Sequence, residues 1–129
     1  MRELDIRNVK YRFLDSSGYF SHVEEWDKAI SMSDAVLFIV DGNGIDDGFY
    51  FTREIFEKAG PFIESAKIPC YVLMNRAKPN QSIKPVYELA DEFLGGVNHS
   101  CGSIQTFNEE VFQAFEWLEG TIVAKLKKK

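Results

Sequence analysis

Residues 35–44, AVLFIVDGNG, set the frame for the chain. Six apolar residues in a row, without polar alternation, suit a strand covered on both faces of a parallel sheet rather than one with a face in water. The Asp-Gly-Asn-Gly that follows stops the run, because these residues favour turn geometries that a strand cannot continue. Downstream, a helix is expected over Gly48–Ser65, with Phe51, Ile55, Ala59 and Phe62 on its inward stripe. CYVLM (70–74) reads as a second buried strand. The helix after it turns Val86, Leu89, Ala90 and Phe93 inward and ends at Leu94-Gly95-Gly96. A weaker strand is expected within 97–106. A last helix then carries Val111, Phe115, Leu118 and Ile122 on one side, capped by Asn108 or Thr106.

Upstream of the opening run, RELDI and VKYRFL make a tight hairpin turning at Arg7-Asn8, with Val9, Tyr11 and Phe13 on one face. After a polar loop from Asp15 to Ser21, Val23, Trp26 and Ile30 recur at helical spacing. Strands alternating with helices define an α/β chain with a parallel sheet and helices on both faces. No repeat, linker or low-complexity segment divides residues 1–129, so a single domain is expected.

The composition, 45% hydrophobic and 14% aromatic over 129 residues, allows a core without disulfides or a structural metal. A formal net charge of -5 argues against a nucleic-acid partner, because such binding relies on cations that neutralise phosphates. The basic end AKLKKK (124–129) reads as a solvated helix terminus whose cations suit the dipole. Cys70 and Cys101 fit no zinc spacing and no secreted disulfide framework, which points to a reducing, cytoplasmic setting. The charged start MRELDIRNVK is no secretory signal. No apolar run approaches the roughly 20 residues that span a bilayer.

In an open parallel sheet, ligands bind beyond the carboxyl ends of the strands. Here those ends carry Asp15, Asp41, Asn75 and the segment Ser100–Ser103. Asp15-Ser-Ser-Gly18 closes a strand and precedes a helix, the context in which an aspartate reaches magnesium through water and a glycine amide meets a terminal phosphate. The spacing alone is weak, since Asp41–Gly44 repeats it and an aspartate capping a turn explains either copy. His22 and His99 have no ligand set beside them, and Ser16 and Ser17 have no His/Asp partner. Phe49, Phe51, Phe56 and Phe62 are expected in the core.

The run IRNVKYRFLDSSGYFSHVEEW, followed by AVLFIVDGN, resembles the Arf/Sar family of small GTPases from the hairpin between the two switches onward. The likeness includes Trp26, eight residues after Gly18, and Val40-Asp41 at the strand end. VLMNRAKPN sits where the family reads guanine with Asn-Lys-x-Asp, and VFQAFEWLEGTI is similar to its closing helix. The resemblance implies a P-loop small-GTPase-like sheet, GTP or GDP with Mg2+ as ligands, and a role in vesicle and protein traffic at Golgi or ER membranes. It implies nucleotide contacts from Asp15, Gly18, Asn75, Arg76, Lys78 and Cys101, with Asp15 toward the metal. It also implies docking of effector or coat proteins on Tyr19, Phe20, Val23 and Trp26.

The sequence departs from that pattern at chemically decisive points. It contains no Gly-x-x-x-x-Gly-Lys-Ser/Thr loop to cradle phosphates, so the domain is expected to be incomplete at its amino-terminal side, lacking the first strand and first switch. Tyr19 stands where a glutamine orients the attacking water, and a phenol has no amide to hold both water and phosphate. Lys78 replaces the aspartate that accepts two hydrogen bonds from guanine; lysine only donates, and the next acidic residue is Glu88. The ribose-side segment falls at Ser100-Cys101-Gly102 or at Ser103-Ile104. Removing the first strand also leaves two sheet edges, which either close on each other or take a strand from another chain, for instance in a homodimer. The expected function is a nucleotide-binding-deficient interaction module. The alternatives are an incomplete but functional GTPase of the Arf/Sar or signal-recognition-particle-receptor-beta type, and a receiver-like phosphoacceptor domain using Asp41 and Lys78.

Overall fold

The computed structural model describes residues 2–6, 9–14, 23–47, 49–75, 78, 80–104 and 108–127. Two strands, β1 (Arg2–Ile6) and β2 (Val9–Phe13), are followed by α1 (Val23–Ser31), β3 (Val36–Asp41) and a 3-10 helix over Gly42–Asp47. Then come α2 (Tyr50–Ala66), β4 (Cys70–Asn75), α3 (Lys84–Leu94), β5 (His99–Ser103) and α4 (Asn108–Lys127). β1 and β2 pair antiparallel in the register Ile6↔Val9; Arg7 and Asn8, where the turn is expected, lie outside the described residues. The other three strands form a parallel sheet in the order β3-β4-β5.

Alternation along β4 shows how the layers form. Cys70, Val72 and Met74 join one buried cluster with Trp26 and Ile30 of α1, Phe56 and Ile63 of α2, and Val86 and Leu94 of α3. Tyr71 and Leu73 point the other way, to Ala114 and Leu118 of α4. β4 is thus buried on both faces between three helices and one, and its apolar run follows directly. Helices cover the parallel sheet on both sides, as alternating strands and helices predict. Among the described residues no helix is long and apolar enough to cross a membrane.

Two close approaches need glycine. At Gly60 a Cβ would lie 2.9 Å from the Phe93 carbonyl oxygen, so its absence lets α2 and α3 pack tightly. At Gly102 a Cβ would meet the Tyr71 hydroxyl at 2.5 Å. Helix α2 also runs through Pro61, which removes a backbone bond. The helix continues because Phe56 and Ala59 before the proline and Ile63 after it are all buried on one side.

Several expectations change in the folded chain. The inward stripe of α2 is Thr52, Phe56, Ala59, Gly60 and Ile63, one residue on from the stripe drawn from periodicity. Phe51 is 67% exposed rather than core. Apolar residues occupy both stripes, so spacing alone does not choose between them; the contact at Gly60 sets the rotation. In α3, Leu94 is buried while Phe93 lies at the flank with the Arg53 guanidinium 5.2 Å from its ring centre. Gly95 ends that helix in right-handed geometry, not the left-handed cap. His99 opens β5, which occupies His99–Ser103 within the expected 97–106. Trp26 is a core residue, 6% exposed, so its ring offers no docking surface in this arrangement. β3 packs on both faces as expected, with Val36, Phe38 and Val40 against one cluster and Leu37 against the other, but it lies at the sheet edge and leaves Ile39 64% exposed.

Candidate functional site

The parallel register brings the expected crevice together. Asp41 at the end of β3 pairs with Asn75 at the end of β4, and Met74 with Ser103 at the end of β5. Asp41 and Asn75 thus sit side by side on adjacent strands, both exposed, where an open parallel sheet presents its ligand groups. The Asp41 carboxylate accepts the Asn43 N–H at 2.9 Å, which folds the chain back into the 3-10 helix.

Gln81 joins the two loops at this end of the sheet. Its side-chain amide donates to the Gly42 carbonyl at 2.9 Å, and its side-chain oxygen accepts the Lys78 N–H at 2.8 Å. Nothing in the sequence singled out Gln81, because the bond it makes spans thirty-nine residues. Beyond Asp41 lies a cavity of about 300 Å³ lined by Asn43, Gly44, Phe49, Tyr50, Phe51 and Thr52. Phe49 precedes α2 in left-handed geometry at φ 56°, an arrangement that costs a bulky side chain about 1–2 kcal/mol. Burial of its ring, 2% exposed, offsets that cost. The Tyr50 hydroxyl is hydrogen-bonded to Glu54, and that bond, then the nearby carboxylate charge, raises its pKa. The aromatic triplet Phe49-Tyr50-Phe51 directly after the turn was the available sequence signal for this cavity.

The remaining candidate positions divide three ways. Lys78 is exposed beside the loop, and its ammonium can only donate. Cys101 is 6% exposed and belongs to the core, so its side chain does not reach the crevice. Burial, then the Asp91 charge, pushes its thiol up to about 12, while burial raises Cys70 further, so neither supplies a thiolate near neutral pH. Asp15, Gly18, Tyr19, Phe20 and Arg76 lie outside the described residues, as does the side chain of Val23. Among the described residues no cluster of three or more His, Cys, Asp or Glu side chains is placed to hold a metal.

A polar pair next to β5 was missed because His99 looked isolated in the sequence. Its Nε2 lies 2.7 Å from the Asp91 carboxylate and its Nδ1 lies 3.0 Å from the Val97 carbonyl. Both partners are acceptors, so both ring nitrogens donate and the imidazolium is favoured. Burial lowers the His99 pKa, but the Asp91 hydrogen bond, the Val97 carbonyl and the Asp91 charge outweigh it and the net shift is upward. A histidine raised in the folded state stabilises fully below its unfolded pKa and loses that contribution as pH rises through the folded value. Urea midpoints are therefore expected to fall as pH rises above about 6.5. In Asp91→Asn this slope should flatten; an unchanged slope would remove His99 as its source.

With this geometry in view, the class is clear: an α/β protein built on a parallel sheet with helices on both faces. Neither models of known protein families nor curated proteins give a match to the chain.

Proposed function

We propose that this chain is an Arf/Sar-like, small-GTPase-related protein that binds GTP or GDP weakly or not at all and acts as a protein-interaction module in intracellular traffic. The observation that carries the reading is Lys78 in the loop after Asn75. The resemblance puts a guanine-accepting carboxylate at this position, and the chain puts an ammonium donor there instead. Each polar group left unpaired against the base would cost roughly 1–3 kcal/mol. The order of β3, α2, β4, α3, β5 and α4, with Asp41 and Asn75 adjacent at the strand ends, supports the small-GTPase-like arrangement. On this reading the partners are effector or coat proteins, met in the cytoplasm or at the periphery of Golgi or ER membranes.

The test is a titration of the folded protein with fluorescent GDP and GTP analogues in magnesium, with folding checked by circular dichroism. No saturable binding in the micromolar range is expected. Micromolar or tighter binding of either analogue would overturn the reading in favour of a working nucleotide site.

A further inference from the structure

We infer that the outer edge of β3 is a strand-acceptor site for an extended partner segment, apolar at its centre and basic at both ends. The Val36 N–H donates to the Pro69 carbonyl at 2.9 Å, which fixes the ladder toward β4. In a parallel pair, alternate residues bond to the same neighbour, so Val36, Phe38 and Val40 face β4 while Leu37 and Ile39 turn their N–H and C=O groups outward. Among the described residues nothing pairs with those groups, and β1–β2 forms a separate sheet.

The opposite edge of the sheet is treated differently. There the Cys101 carbonyl accepts the Tyr87 hydroxyl at 3.0 Å, so an outward backbone group of β5 is satisfied by α3. Among the described residues β3 has no such guard, and residues 35–40 contain no lysine, no proline and no charge to blunt the edge. Its side chains are those of an interior strand, with Ile39 64% exposed. An added strand would complete the ladder and cover that residue.

Charge selects the occupant. Asp34 and Asp41 bracket the apolar stretch, and the whole chain is at -5. A second copy pairing antiparallel about a two-fold at Phe38, the register in which Leu37 and Ile39 bond across the seam, would set Asp34 opposite Gly42 and Asp41 opposite Ala35, so two carboxylates one position apart would gather at each end and repel. A segment with lysine or arginine flanking several Val, Ile or Leu residues meets both carboxylates with opposite charge and both faces with apolar side chains. Backbone bonds then give affinity and the flanks give selectivity.

The inference deepens the interaction-module reading and rests on it for its biological sense, whereas its geometry stands on the sheet alone. The probe is a fluorescein-labelled peptide of valine and isoleucine flanked by lysine and arginine, read by polarisation and by amide hydrogen exchange of the 129-residue protein. Saturable binding is expected, with exchange at Leu37 and Ile39 slowed about tenfold or more and little change at Val36 and Phe38. The same peptide N-methylated at alternate residues, and the same peptide with glutamate flanks, should each bind about tenfold more weakly or not at all. Ile39→Lys should weaken binding similarly while leaving circular dichroism unchanged, since Ile39 is exposed. No binding to the folded protein would overturn the proposal. So would Leu37 and Ile39 amides already as slow as those of Val36 and Phe38 in the free monomer, because the chain itself would then cover the edge. Concentration-dependent dimerisation that protects the same amides would replace the partner segment with a second copy. None of these outcomes bears on the nucleotide titration, so each reading can fail by itself.

Discussion

Phe56→Ala is expected to lower the unfolding free energy by about 3–5 kcal/mol. The Phe56 side chain is fully buried, and its ring meets Phe38 of β3 edge-on, with centroids 5.2 Å apart. Alanine would forfeit the transfer of that ring, the aromatic contact, and the packing around the space left behind. Against a net stability of about 5–15 kcal/mol for a domain, this is a large fraction. The control is Phe51→Ala in the same helix. That ring is 67% exposed, so a change within about 0.5 kcal/mol is expected. Urea unfolding of the two variants decides which stripe of α2 faces the sheet. Equal losses at both positions would mean that the helix is rotated from the arrangement described.

Phe115→Ala is the second large effect, expected at about 3–5 kcal/mol, and it differs in kind. Phe115 of α4 is 8% exposed and packs against both aromatic residues on one face of β2: Tyr11 at 5.1 Å and Phe13 at 6.0 Å between centroids. The Tyr11 hydroxyl also donates to the Glu119 carboxylate one turn further along α4. An isolated two-stranded hairpin is marginal in water. Because β1–β2 shares no ladder with β3–β4–β5 among the described residues, this aromatic contact ties the hairpin to the rest of the chain. Hydrogen exchange should therefore show β1 and β2 losing protection first in Phe115→Ala, while Val72 and Leu73 of β4 keep theirs. Uniform loss across both sheets would show that the hairpin and the parallel sheet unfold as one unit.

Core packing also bears on the proposed function. Trp26 and Ile30 of α1 belong to the core, and α1 packs on α2. The aromatic surface that the family resemblance would offer to partners is therefore partly spent on holding the chain together. The open edge of β3 remains as backbone hydrogen-bonding capacity facing outward, which gives an interaction module something to offer without an exposed Trp26 and without a nucleotide.

Local chemistry was enough to place most elements. The uninterrupted apolar runs at 35–40 and 70–74 marked strands of a parallel sheet, and the spacing of Val86, Leu89 and Ala90 marked an inward helix face. The strand ends then put Asp41 and Asn75 at one end of the sheet, since both follow directly from where an apolar run stops. Donor-only chemistry at Lys78 was equally legible, because it is a property of the side chain itself.

Other features arise only between distant residues. Which stripe of α2 is buried depends on Gly60 meeting the Phe93 carbonyl thirty-three positions away, a contact no helical period contains. The bond from Gln81 to the Gly42 carbonyl and the clasp of His99 by Asp91 and Val97 are of the same kind. So is the status of β3. Its apolar composition calls for cover on both faces and is silent on its edges; a strand's place in a sheet is settled by which hydrogen bonds close around it, and here they close on one side among the described residues. The layers and the chemistry of the strand ends follow from residue patterns a few positions long, whereas the buried helix faces and the open edge follow from contacts between residues far apart in the chain.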